Sequence, residues 1–160
     1  NFLFHFLFHL GLRVSELTNL KFENIRKDDD GGRYVQIIGK GDKERRVPLN
    51  DKAEKALDAY VSVRPKTDHP YVLIALRGAK SRSRISSRSV QKLAVKHRRA
   101  LNLPVRFTPH KGRHTFLSRL IQNGVDISVA AELAGHANLQ TTMGYITLRT
   151  QDKRSAVSKL

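Results

Sequence analysis

Residues 21–50 are where the hydrophobic spacing of this chain drops from the helical period toward two, and that change constrains the fold class most. Tyr34-Val-Gln-Ile-Ile38 is rich in β-formers. Gly39-Lys-Gly-Asp-Lys43 is a tight connection, and Arg45-Arg-Val-Pro-Leu49 is the return strand. Phe22 to Arg26 reads as a further short strand, joined through the turn signal Asp28-Asp-Asp-Gly-Gly32. The stretch therefore predicts a hairpin or small antiparallel sheet. Lys40 and Lys43 stand at its tip, and glycines on both sides of Lys40 let the backbone come close to a ligand.

The rest patterns as helices. Residues 2–10 form an apolar helix, and Ser15 and Glu16 open a second one that turns Leu17 and Leu20 inward. Arg13 lies between these two apolar segments, where a charge must be paired or used. Asn50 caps a helix to about Val63, with Ala53, Ala56, Leu57 and Tyr60 on its apolar side. Tyr71 to Leu76 reads as a short strand. Arg77 to Arg84 is a basic, small-residue loop suited to phosphates, with Arg82 and Arg84 as candidate contacts. Ser86 or Ser87 caps a helix through about Leu101 that carries Lys92, Lys96, Arg98 and Arg99, a candidate DNA-facing surface or a solvated face.

Thr108 caps the next helix, with Pro109 at its first position. His110, Arg113 and His114 follow at spacings of three and four, which puts them on one side near the helix N-terminus. That end of a helix favours an anion. The helix ends at Asn123-Gly124. Asp126 caps a short helix to Ala134, Gly135-His136 follows, and a last short helix carries Thr141, Thr142 and Tyr145. Residues 149–160 are a polar, basic tail. The predicted class is mainly α with a small antiparallel β-sheet.

Charge indicates the partner. Lys+Arg number 30 against 14 Asp+Glu, a net +16 over 160 residues, which points to a polyanion such as nucleic acid. There is no cysteine, hence no disulfide framework and no thiolate metal site. The apolar run Phe2 to Leu10 is too short to span a bilayer and lacks the features of a signal peptide. The chain opens without Met inside a helical pattern, so the expectation is a fragment of a longer protein. His110 and His114 have the spacing of a helical zinc pair, but no Glu follows the first and Arg113 would repel the ion, so no metal is expected.

Arg13, Lys40, His110, Arg113 and His136 are cationic or proton-carrying groups at junctions and caps, and Tyr145 comes nine residues after His136. Two arginines can clamp a phosphodiester and stabilise a pentavalent transition state. A tyrosine can attack phosphorus, its phenolate favoured by nearby positive charge. A lysine at a hairpin tip can protonate the departing sugar oxygen.

With these residues in view, the chain resembles the catalytic domain of the tyrosine recombinase/phage integrase family, close in pattern to Xer-type and mobile-element enzymes. The match lies in Gly11-Leu-Arg-Val-Ser-Glu-Leu17, Gly39-Lys-Gly-Asp-Lys-Glu-Arg45, His110-Lys-Gly-Arg-His-Thr-Phe116 and Leu133 to Tyr145, in family order. The resemblance implies the DNA breaking-rejoining fold over 1–160, with a helical core-binding domain missing on the N-terminal side. It implies site-specific cleavage and rejoining of DNA through a 3′-phosphotyrosyl intermediate and a Holliday junction, without metal, cofactor or ATP.

Carried over, Arg13 and Arg113 bind the phosphate and Lys40 is the general acid. His110 manages protons at the scissile phosphate, His136 hydrogen-bonds it, Tyr145 is the nucleophile, and Glu16 orients the cationic cluster from behind. Lys43, Arg82, Arg84 and Lys92 are expected DNA contacts. The implied partner is double-stranded DNA at a specific site, bound by a homotetramer that is monomeric in isolation. No membrane association is implied, and the setting is cytoplasmic, on the nucleoid when active. Gly112 departs from the family, which often has a bulky apolar residue there. Two other readings use the same residues: a DNA-binding module that kept the fold without chemistry, which has no need of Tyr145, and a type IB topoisomerase, which re-ligates the same strand.

Overall fold

The computed structural model describes residues 2–39, 44–76, 83–100, 102, 108–136 and 138–144. Within these, seven helices surround one small sheet. Helix α1 (Phe2–His9) is the hydrophobic centre. Phe2, Leu3, Phe6, Leu7 and the following Leu10 are buried, and α1 packs against both α3 (Asp51–Val63) and α5 (Pro109–Gln122). Helix α2 (Val14–Asn19) follows a left-handed Gly11 and adds Leu17 and Leu20 to the same core.

Strands β1 (Ile25–Lys27), β2 (Arg33–Ile38) and β3 (Glu44–Pro48) form an antiparallel sheet in the order β1-β2-β3. The register pairs Ile25 with Val35, Val35 with Val47, and Ile37 with Arg45. Because strand side chains alternate, β3 turns Arg45 and Val47 to the buried face, while Glu44, Arg46 and Pro48 face outward.

The expected caps are present. Asn50 Oδ1 accepts from the Ala53 amide at 3.0 Å, Thr108 Oγ1 from Lys111 at 3.2 Å, and Asp126 Oδ1 from Ser128 at 2.7 Å. Ser86 Oγ accepts from the Ser89 amide at the start of α4 (Ser87–Ala100). Helices α6 (Ile127–Ala134) and α7 (Gln140–Met143) complete the described chain.

Two strand expectations need correction. Phe22 to Asn24 form a 3-10 turn, because Asn24 Oδ1 accepts from the Lys21 amide and closes it; only Ile25–Lys27 is extended in the sheet. Tyr71 to Leu76 form no strand, only isolated bridges from Lys21 to Tyr71 and from Ile74 to Arg84. Here side chains capture the carbonyls. Val72 O accepts from Tyr60 Oη at 3.0 Å and from Arg64 Nε at 3.1 Å, and Tyr71 O from Arg64 Nη2 at 2.8 Å.

Gly112 has a packing role. A Cβ there would stand 3.1 Å from Leu7 Cβ and 3.4 Å from the Leu7 carbonyl oxygen, so the glycine admits α1 close against α5.

Candidate active site

The site is built on the C-terminal end of α6. Gly135 takes a left-handed φ of 67°, and a Schellman pattern closes the helix: Gly135 N donates to Glu132 O at 2.8 Å and His136 N to Ala131 O at 2.9 Å. The next three carbonyls still need donors. Each receives one from a different arginine. Arg45 Nε donates to Leu133 O at 3.0 Å, Arg113 Nη2 to Ala134 O, and Arg13 Nη2 to Gly135 O at 2.9 Å. The negative end of the helix dipole thus gathers three guanidiniums brought in by α2, β3 and α5.

Glu16 supplies the counter-charge. Its carboxylate accepts from Arg13 Nη1 at 2.8 Å, from the Arg13 amide at 2.7 Å, and from Arg45 Nη1 and Nη2 at 3.0 and 2.8 Å. The Glu16 and Arg45 side chains are only 10% and 6% exposed, whereas Arg13 is 43% exposed. Burial alone would push the Glu16 carboxyl up. The hydrogen bonds from Arg45 and Arg13 outweigh it and hold the group below the usual carboxylate range. With Glu16 ionised, three arginines and one carboxylate leave the cluster doubly positive.

Arg113 is buried, and its Nη1 also donates to Gly11 O at 2.9 Å. A side chain at Gly11 would strike the Phe116 ring at 2.2 Å, and its φ of 59° favours glycine. His136 Nδ1 lies 2.7 Å from Thr142 Oγ1, and Thr142 is fully buried. Burial lowers the His136 pKa, and the charges of Arg113, Arg13 and Arg45 lower it further, which favours the neutral imidazole.

Arg13, His110, Arg113 and His136 line one cleft of about 570 Å³, together with Ser15 and Thr141. Glu16 sits behind it. His114 takes a different direction: its ring nitrogen meets Ser118 Oγ at 3.4 Å along the helix, and it is absent from the cleft lining. Of the proposed DNA contacts, Arg84 donates to Asn19 Oδ1 and lies over the Tyr71 ring. Lys92 lines a separate apolar groove between α1, α3 and α4, so the structure does not bring it to the cleft. Lys40, Lys43, Arg82 and Tyr145 lie outside the described residues.

Sequence reasoning missed Arg45 and Thr142. Arg45 was legible, since on a strand it keeps phase with Val47 and Leu49 and must turn inward. Nothing in the sequence distinguishes Thr142 from Thr141. Among the described residues no cluster of His, Asp and Glu could hold a metal ion, and no helix is long and apolar enough to cross a membrane.

A mainly helical domain with a three-stranded sheet thus presents guanidiniums and an imidazole to one cleft, an arrangement suited to an anion. The chain belongs to the phage integrase family, whose model matches residues 1–152. It is 36% identical to the tyrosine recombinase XerA of Pyrococcus horikoshii over 153 residues, covering 96% of this chain and 52% of that protein. It is 38% identical to the tyrosine recombinase XerC of Caldanaerobacter subterraneus subsp. tengcongensis over 151 residues, covering 93% and 41%. The crystal structure of XerA recombinase superposes with a TM-score of 0.78 at 29% identity, over 96% of this chain and 55% of that one. The fold is that of the tyrosine recombinase catalytic domain. The chain spans about half the length of these relatives.

Proposed function

We propose that this chain is the catalytic domain of a site-specific DNA recombinase or integrase that cleaves and rejoins strands through a 3′-phosphotyrosyl intermediate. The observation that carries the reading is the arginine trio fixed on the three carbonyls that end α6, with Arg13 and Arg113 bordering the same cleft as His110 and neutral His136. Arg113 has its plane set by two carbonyls before any phosphate arrives. Such preorganisation is the main way a site stabilises developing charge.

In this reading Arg13 and Arg113 bind the non-bridging oxygens of the scissile phosphate, and His136 donates a hydrogen bond to it. Tyr145 forms the new O–P bond and gives up its phenolic proton toward His110. The bond from phosphorus to the 5′-oxygen breaks, and that oxygen takes a proton from Lys40. Rejoining runs the same steps backwards with a 5′-hydroxyl from the partner strand, so energy is conserved in the phosphotyrosyl bond and no ATP is needed, while the arginines supply the charge a metal would otherwise supply. Strand exchange proceeds through a Holliday junction in a homotetramer on double-stranded DNA, the chain being monomeric when free. Lys43, Arg82, Arg84 and Lys92 add phosphate contacts, which position without specifying sequence. The names of the relatives and the +16 charge support this choice over a binding module.

Cleavage of a nicked suicide duplex, assayed in EDTA, tests it. Arg13→Ala and Arg113→Ala should each lower the cleavage rate by about a hundredfold or more, the scale for losing an oxyanion-stabilising donor. Unchanged rates in either variant, or a strict metal requirement, would refute the phosphate clamp.

A further inference from the structure

Thr142 is the described residue whose burial and geometry the chemistry above leaves unused. It sits on α7, which ends two residues before Tyr145. Its side chain is wholly buried, and its hydroxyl makes its one described hydrogen bond to Nδ1 of His136, at 2.7 Å. Other helical threonines here behave differently: Thr18 and Thr115 donate back to the carbonyls of Ser15 and Lys111.

A buried hydroxyl that fails to donate incurs a desolvation cost. A neutral imidazole carries one N–H, and the partner at one nitrogen decides which. At His136, burial and three neighbouring arginines favour that neutral form over the imidazolium. If Nδ1 held the proton, it would point at the hydroxyl, and the Thr142 hydrogen would have to turn elsewhere. The arrangement that satisfies both groups has Thr142 donating and Nδ1 accepting.

We propose that Thr142 is a positioning residue: its hydroxyl donates to Nδ1 of His136, fixes the Nε2–H tautomer, and ties the helix leading into Tyr145 to the histidine of the cleft. The tautomer assignment rests on this contact; its consequence for catalysis rests on the function proposed above. There, the Nε2–H is the donor to the phosphate, so the donor is correctly presented only while α7 is docked.

Two readouts separate the two levels. Long-range proton–nitrogen correlation spectra of the ¹⁵N-labelled chain at pH 7 report the His136 tautomer without DNA. The wild type and Thr142→Ser should show a protonated Nε2 and a bare Nδ1, and Thr142→Val should show a mixture or the reverse. In the cleavage assay Thr142→Val should fall at least about tenfold while Thr142→Ser stays near wild type. A protonated Nδ1 in the wild type overturns the proposal, as does a folded Thr142→Val with an unchanged tautomer. Should the valine variant not fold, the wild-type and serine spectra still decide it. A wild type that shows the expected tautomer but cleaves no DNA overturns the proposed function and leaves the tautomer assignment standing.

Discussion

Arg113 donates to the carbonyl of Gly11 at 2.9 Å, across 102 positions of chain. This contact joins the start of α5 to the turn between α1 and α2, and thereby places Arg113 beside Arg13. It depends on shape as much as on charge. Gly11 must take a left-handed φ to present its carbonyl, and the Phe116 ring fills the space where a Cβ would stand.

Gly11→Ala should therefore destabilise the domain by about 3 kcal/mol, the left-handed cost and the overpacking combined. Adding Phe116→Leu should recover part of it by relieving the clash. Urea unfolding of the single and double variants measures this; a neutral Gly11→Ala would show that the turn relaxes without loss.

Arg45 holds a buried carboxylate and a helix-end carbonyl together. Arg45→Met leaves Glu16 buried with only Arg13 and should cost about 3–5 kcal/mol, whereas Arg45→Met with Glu16→Leu should cost less than Arg45→Met alone. A double variant worse than the sum of its parts would argue against the pairing. Equilibrium denaturation supplies both numbers.

Acid should release Glu16. Its folded pKa lies below its ordinary value, so its contribution is complete above the pH where a free glutamate titrates, about 4.3. The contribution is then lost as pH falls through the lower folded value. The melting temperature of the wild type should exceed that of Glu16→Gln at pH 7, and the gap should close toward pH 3. A gap that is constant with pH contradicts an ionised Glu16 as the counter-charge.

His136 titrates with the same slope for a different reason. Its folded pKa is depressed, so the unfolded chain takes up a proton first as pH drops past about 6.5, and stability falls until the folded value is reached. His9 is lowered too, by burial first and then by His5, Lys52 and Arg119. His136→Gln should flatten part of the stability decline below pH 6.5, and His136→Gln with His9→Gln should flatten more. Unaltered pH profiles would show that neither imidazole is held neutral.

Much of this was legible in the sequence because it is local. Asn50, Thr108 and Asp126 announce their helices by capping chemistry, and the spacing around Val35 and Val47 announces the hairpin. Tyr71 to Leu76 misled because a buried apolar run looks the same whether a ladder or the Arg64 guanidinium takes its carbonyls. Arg45 could have been placed inward by strand alternation, but its partners Glu16 and Leu133 lie 29 and 88 positions away. The convergence of three arginines on one helix end depends on Gly135 turning left-handed and on α2, β3 and α5 meeting there. No local pattern encodes such a meeting. Gly112, a departure at the level of pattern, found its reason only when Leu7 stood against it.

Covalent attachment of Tyr145 to DNA is the step on which the proposed function depends. The chain should be incubated with a nicked suicide duplex carrying a candidate recombination site, digested, and the DNA-linked peptide sequenced by mass spectrometry. A single adduct is expected, a 3′-phosphotyrosine at Tyr145, that disappears in Tyr145→Phe while DNA binding persists. An adduct on any other residue, or an equal yield from Tyr145→Phe, would refute Tyr145 as the nucleophile.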